Sequence, residues 1–197
     1  MLPPGSSTST TGLSDVLRFD AGTHEYTVNG ALVPSVTQIL KAEGFTPNYG
    51  GNNSAAARGT WVHWATTAID AWQDTGPMPK DCQGYINAYL SFIADNMPQW
   101  VTTEERKYSE QWGFAGTSDR TQVNQVWDIK TGAPRAADQL QLAGYAMLWD
   151  DTKMERWNLY LHATGNYEQV QRTDKQDFVI FTNAVCNYSW KRKRGIK

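Results

Sequence analysis

Residues 126–132 read VWDIKTG, a stretch that sets an acid and a base, Asp128 and Lys130, two positions apart inside an apolar run. In an extended strand alternate side chains share a face, so Asp128, Lys130 and Val126 project together. Taking a charge out of water is costly unless something pairs it. Two arrangements satisfy that demand. The pair can neutralise itself on an exposed face, a contact worth under about 1 kcal/mol. Alternatively the two groups hold a third party, such as a metal ion and a phosphate. A lone Asp-x-Lys favours the first, so its neighbours along the chain decide.

Two more segments of period two lie just upstream, WVTTEERKYS (100–109) and WGFAGTSDR (112–120). With QVNQVWDIKT (122–131) they predict a three-strand meander with short connections. Asp119 ends the second strand, and antiparallel neighbours bring same-face side chains close. Asp119 and Asp128 are therefore expected to converge. Two carboxylates that close repel unless a cation separates them, and oxygen ligands of this kind suit Mg²⁺ or Mn²⁺. A lysine beside them can hold a scissile phosphate or orient the attacking water. That combination is the chemistry of phosphodiester hydrolysis.

Around the meander the periodicity is helical. SAAARGTWVHWATTAIDAWQD, from Ser54 to about 73, repeats apolar residues at three- and four-residue steps, as does DCQGYINAYLSFIADNM (81–97), which Pro98 stops. APRAADQLQLAGYAMLWDD (133–151) is a third helix. ERWNLYLHA (155–163) and NYEQVQR (166–172) read as a strand pair turned by Thr164-Gly165-Asn166, and a last helix is expected from a cap at Thr173 or Asp174. At the other end, RFDAGTHEYTVNGALVP (18–34) reads as a small hairpin around Asn29-Gly30. Ser35 with Gln38 has the capping-box pattern for a short helix to about Glu43, and GFTPNYGGNNS (44–54) is loop by composition.

Composition bounds the rest. The 197 residues fit one domain over 15–197, after a leader (1–14) that has no apolar face and no signal-peptide core. No stretch approaches a membrane span, which points to a cytoplasmic setting. Cys82 and Cys186 are far apart and lack a CxxC partner, which excludes a four-thiolate zinc site and an iron–sulfur cluster held by four cysteines. Both are expected to be buried free thiols. The net charge of −2 does not advertise a nucleic-acid binder, although the chain ends KRKRGIK, a basic cluster that reads alone as a solvated tail. Of the nine Trp, Trp61, Trp64 and Trp72 sit at helical spacing and are expected to pack. Trp64 and Trp112 are also candidates for stacking on an unpaired base.

GTSDR, then WDIKTG, then QLAGY resembles the PD-(D/E)XK nuclease superfamily in its RecB-like and phage-type exonuclease branch. The resemblance covers about residues 19–150. It implies an α/β, restriction-endonuclease-like core, α-β-β-β-α-β, with a mixed sheet flanked by helices. It implies that Asp119, Asp128 and the Ile129 carbonyl bind one or two Mg²⁺ or Mn²⁺ ions, with Lys130 acting on phosphate and water. Gln141 and Tyr145, one helical turn apart, would support the lysine and the DNA strand. RGTWVH resembles the superfamily's helix motif and puts His63 among the metal ligands, while TEERKYSEQWGFAGTSD aligns the remaining acid with Glu104, Glu105 being its neighbour and alternative. HEYTVNGALVPSVTQIL resembles the segment whose helix start, here Ser35 and Thr37, lies near the DNA end. Arg58 and Arg120 flank the motifs as phosphate contacts. DNA is the partner so implied, with room for a homo-oligomer or a recombination partner protein, in viral or bacterial recombination, repair or processing.

Each residue also has a plainer use: His63 packed, Gln141 and Tyr145 on a helix surface, Ser35 an N-cap alone. Competing readings of the whole are an endonuclease, a catalytically idle DNA-binding protein on the same fold, and a Trp-rich carbohydrate-binding module. The helical periods speak against the last.

Overall fold

The computed structural model describes residues 16–46 and 53–196, so the expected leader and most of the expected 44–54 loop lie outside the described residues. The N-terminal segment forms β1 (Leu17–Asp20), β2 (Glu25–Val28) and β3 (Ala31–Val33), a three-stranded antiparallel sheet in that order rather than the expected hairpin. Asn29 and Gly30 turn β2 into β3 with φ of 52° and 82°, the left-handed pair that a two-residue hairpin demands and that Asn-Gly tolerates. Next comes α1 (Val36–Ala42), closed by the expected capping box: Ser35 Oγ accepts from the Gln38 N–H at 3.1 Å, and Gln38 Oε1 accepts from the Ser35 N–H at 2.9 Å.

Two helices follow, α2 (Asn53–Asp70) and α3 (Gln83–Asn96), the second preceded by a 3-10 turn at Lys80–Cys82. Helix α2 stops short of its expected end, and the expectation that Trp72 packs fails: it lies beyond the helix with φ 56° and is 97% exposed. Trp64 is also exposed, while Trp61 is half-buried.

The rest of the chain builds β4 (Thr102–Ser109), β5 (Phe114–Gln122), β6 (Gln125–Lys130), α4 (Ala136–Leu148), β7 (Glu155–Leu161), β8 (Tyr167–Gln171) and α5 (Gln176–Lys193). The five strands form one mixed sheet in the order β4-β5-β6-β7-β8, in which β6 and β7 alone run parallel. A parallel neighbour needs a crossover, and α4 supplies it. The run α3-β4-β5-β6-α4-β7 is the core order expected from the sequence. Helix α5 begins near the expected cap: Lys175 occupies the cap position without a side-chain bond, and Asp174 Oδ1 accepts from the Gln176 N–H at 2.8 Å.

The sheet is covered on both sides. One apolar cluster packs α1, α4 and α5 on it through Val36, Leu142, Phe114 and Phe181, the two rings edge-to-face at 5.3 Å between centroids. The other packs α2 and α3 through Val62, Tyr89, Phe92, Trp127 and Leu159. Each such large side chain removed from water contributes roughly 1.5–3 kcal/mol. Gly144 lets α4 lie close: a Cβ there would stand 2.7 Å from Phe181 Cζ and 2.9 Å from Val36 Cγ1. That approach is to α5 and α1, which flank α4 on the same side of the sheet. Of the two thiols, Cys82 is buried but Cys186 is exposed, against expectation. The basic tail is partly engaged, Lys191 Nζ lying 2.9 Å from Glu43 Oε1 and Arg192 Nη2 donating to the Leu32 carbonyl at 2.8 Å.

Candidate active site

A cleft of about 700 Å³ opens between the N-terminal sheet, the start of α1, α2, and strands β4 and β5. His63, Glu104 and Asp119 line it together with Ser35, Thr37 and Tyr145. His63 Nδ1 stands 3.5 Å from Asp119 Oδ2 and 3.9 Å from Glu104 Oε1. Burial by itself would depress the His63 pKa, but the charges of Asp119 and Glu104 outweigh it and raise the imidazole to about 8. Glu104 has a left-handed backbone, φ 50°, inside a strand. An acidic residue held there is strained, and such strain persists only where its surroundings impose it. Glu105 does not line the cleft; of the two candidate acids, Glu104 is the one beside His63.

Asp119 is fixed from the other side. Its Oδ2 accepts from the Ile129 N–H at 2.7 Å, where the paired residues of β5 and β6 end at Arg120 and Trp127. A carboxylate thus takes the place of a ladder partner and ties β5 to the chain segment carrying Asp128 and Lys130.

Asp128 and Lys130 do meet. Lys130 Nζ donates to Asp128 Oδ1 at 2.9 Å and to Gln141 Oε1 at 2.8 Å, and Gln141 Nε2 donates to the Tyr145 hydroxyl at 2.6 Å. Asp128 is 1% exposed, and its Oδ2 accepts from Asn158 Nδ2 at 2.9 Å. Burial raises the Asp128 pKa to about 7, Lys130 pulling it back and Asp119 adding to the rise. Burial would lower the Lys130 pKa, but Asp128 and Asp119 reverse that, so the ammonium keeps its proton. Tyr145 is raised by burial first and then by the same two aspartates, and its hydroxyl stays neutral. The arrangement differs from a symmetric aspartate pair: Asp119 groups with His63 and Glu104, while both Asp128 oxygens face donors from Lys130 and Asn158.

Of the two flanking arginines, Arg120 does not meet the phosphate expectation. Arg120 is 0% exposed, its Nε 2.6 Å from Asp70 Oδ2 and its Nη2 donating to the Thr66 and Thr67 hydroxyls at 3.1 Å each. A guanidinium so enclosed reaches no ligand. Arg58 lies with its Cζ 5.2 Å from the Tyr85 ring centroid and does not line the cleft. Ser35 keeps its capping role and also lines the cleft, as does Thr37.

Four participants escaped the sequence reading. Asn158 braces Asp128 from β7, and Arg172 Nε in turn donates to Asn158 Oδ1 at 2.8 Å. Asp70 neutralises Arg120 across fifty positions of chain, which no local pattern announces. Arg106 lines the cleft two residues along β4 from Glu104. The period of two was the signal that would have found it.

The donor set suits a divalent cation. Among the described residues His63, Glu104 and Asp119 each offer a ligand atom, all within 4.8 Å of one another. Glu104 Oε1 is buried without a hydrogen bond, its neighbours being Arg120 Nη1 at 3.5 Å and His63 Nδ1 at 3.9 Å, so it keeps acceptor capacity that a cation would use. Carboxylate oxygens suit hard divalent cations and an imidazole suits transition-metal ions, so the mixed set fits a divalent metal.

No protein-family model matches the sequence, and no curated protein does. Among solved structures the chain is similar to an alkaline exonuclease, LHK-Exo, from Laribacter hongkongensis. Its complex with dAMP aligns at a TM-score of 0.46 and 11% identity over 83% of this chain and 93% of that one. A second structure of that exonuclease aligns at 0.41 and 9% over 82% and 91%. A phage-related exonuclease from Haemophilus somnus 129PT aligns at 0.43 and 11% over 78% and 90%.

Proposed function

We propose that the protein is a divalent-metal-dependent deoxyribonuclease of the PD-(D/E)XK superfamily, RecB-like and phage-type branch, acting as an exonuclease. One domain over 15–197 would carry it, in the cytoplasm, in viral or bacterial DNA recombination, repair or processing. The observation that carries the reading is a lysine held by an aspartate and a glutamine beside a His–Glu–Asp cluster: Lys130 between Asp128 and Gln141, with His63, Glu104 and Asp119 in the adjoining cleft.

His63, Glu104 and Asp119 would hold the cation, with Asp128 and the Ile129 carbonyl behind them. When bound, Mg²⁺ or Mn²⁺ supplies a water of lowered pKa and positive charge for the phosphoryl group. Lys130, still protonated, presents a fixed cation to the negative charge that grows on the phosphoryl oxygens. Gln141 fixes the direction of that ammonium, and Tyr145 fixes Gln141 by accepting its N–H. The Ser35 hydroxyl accepts from the Gln38 N–H and keeps its own proton to donate to the strand, with Thr37 beside it.

End-labelled linear DNA and closed circular DNA, each with Mg²⁺, Mn²⁺ or EDTA, test this reading. Linear-only cutting that needs metal is expected, and Lys130→Ala should lower it on the order of 100- to 1000-fold while the circular dichroism stays that of the wild type. Cutting of circles makes the protein an endonuclease. Binding without cutting makes it an idle DNA-binding protein. A Lys130→Ala variant that cuts at the wild-type rate ends the mechanism.

A further inference from the structure

Three residues of the same cleft have no part in the hydrolysis proposed above. Phe19, from β1, and Trp64, from α2, line it together with the guanidinium-bearing Arg106 of β4. Trp64 is 51% exposed, which leaves a large aromatic face in water, and it is backed by Trp61 with ring centroids 6.0 Å apart. Phe19 is held in place: its ring lies 4.7 Å from that of Tyr26, and the Tyr26 hydroxyl is hydrogen-bonded to Thr117 Oγ1 at 2.5 Å. The Arg106 guanidinium sits 4.8 Å from the Phe19 ring centroid, and among the described residues no carboxylate pairs with it.

We infer that Phe19, Trp64 and Arg106 form a subsite for an unpaired nucleotide, so that the strand end enters single-stranded, its base against the aromatic rings and its phosphate on the guanidinium. This deepens the nuclease reading and rests on it. Two considerations select unpaired over duplex DNA. Duplex grip comes from many Lys and Arg on phosphates. Here the chain carries a net −2, and among the described residues lining the cleft Arg106 is the one Lys or Arg. Aromatic faces, in contrast, are useful only to bases that have left their stack, and each base so held contributes sequence-tolerant affinity. The same criterion separates the two Trp candidates: Trp64 lines the cleft, whereas Trp112 packs against the α1–α4–α5 core.

Binding is measured in EDTA on the full chain, so the outcome does not depend on cleavage. The probes are a short oligonucleotide with 2-aminopurine at its terminal position, single-stranded or as a blunt duplex. Wild-type protein should bind the single strand more tightly and quench its 2-aminopurine. Trp64→Ala should weaken single-strand binding about tenfold, Trp64→Phe should retain most of it, and duplex binding should not change. Arg106→Ala should weaken single-strand binding and reduce its salt slope by about one. The inference is overturned if wild type prefers the blunt duplex, if 2-aminopurine is not quenched, or if folded Trp64→Ala binds the single strand like wild type. Absent metal-dependent cutting with this binding intact would instead remove the nuclease reading and leave a single-strand-binding cleft.

Discussion

Arg120 on β5 and Lys130 on β6 are both basic residues against an aspartate, Asp70 for one and Asp128 for the other, yet they are built for opposite ends. The guanidinium is sealed, 0% exposed, and its donors are spent on Asp70, Thr66, Thr67 and the Asp119 carbonyl at 2.6–3.1 Å. The ammonium has a side chain 24% exposed, and two of its three donors are taken, by Asp128 and Gln141. One donor remains for a substrate oxygen. Saturation marks the structural pair and incompleteness marks the reactive one.

If so, the largest change in stability should come from the sealed pair. Arg120→Met leaves the Asp70 carboxylate buried with no countercharge and only the Tyr89 hydroxyl as a donor, and breaking a buried pair in this way costs about 3–5 kcal/mol. Denaturant unfolding should register it as a lower midpoint at an unchanged slope. Lys130→Met should cost much less, because Asp128 can take up a proton in place of its partner. If the two variants lost equal stability, the contrast between the pairs would collapse.

A pH series in EDTA sharpens the same contrast from the aspartate side. The Asp128 pKa rises from 3.8 to about 7 in the folded protein, chiefly by burial. A folded pKa above the unfolded one means that the folded state holds the proton more firmly. Its contribution is therefore fully present below about pH 4, shrinks as pH rises, and is lost above about 7. Asp128→Asn should remove that part of the slope of stability between those limits. An unchanged slope in the variant would show that the carboxyl is not buried as an acid.

Asn158 should come next in size. Asn158→Ala strips Asp128 Oδ2 of its donor and leaves the Arg172 guanidinium short of an acceptor. An unsatisfied buried polar group costs about 1–3 kcal/mol. Cutting should fall too, since Asp128 then orients Lys130 less firmly. A variant as stable as wild type would mean that water replaces the amide without loss.

What the sequence disclosed follows the range of its interactions. The meander, the capping box at Ser35–Gln38, the Asp-x-Lys spacing and the Gln141–Tyr145 turn are written within a few residues, and they were legible. The contacts of Asp70 with Arg120 and of Asn158 with Asp128 join elements fifty and thirty residues apart, and strand or helix period says nothing of such partners. Arg120 was misread for that reason, since an arginine beside a motif looks free until its acceptors are known. Trp72 was misread because a helical period was carried past Asp70, where the helix ends. β3 is three residues long, too short for alternation to register.

The smallest expected effect lies at the outer link of the lysine's support. Tyr145→Phe removes one oxygen, the acceptor for Gln141 Nε2 at 2.6 Å, and leaves the buried ring in place. Gln141 Oε1 still reaches Lys130, so the ammonium keeps both partners while its carboxamide brace is free to turn. Stability should drop by about 1 kcal/mol, the net worth of one hydrogen bond. Cutting should slow several-fold rather than vanish, because Lys130 is displaced only part of the time. Gln141→Leu, which takes a partner from the lysine itself, should slow it further. If Tyr145→Phe abolished cutting as completely as Lys130→Ala, the hydroxyl would be touching substrate, and Tyr145 would belong with the reacting groups rather than behind Gln141.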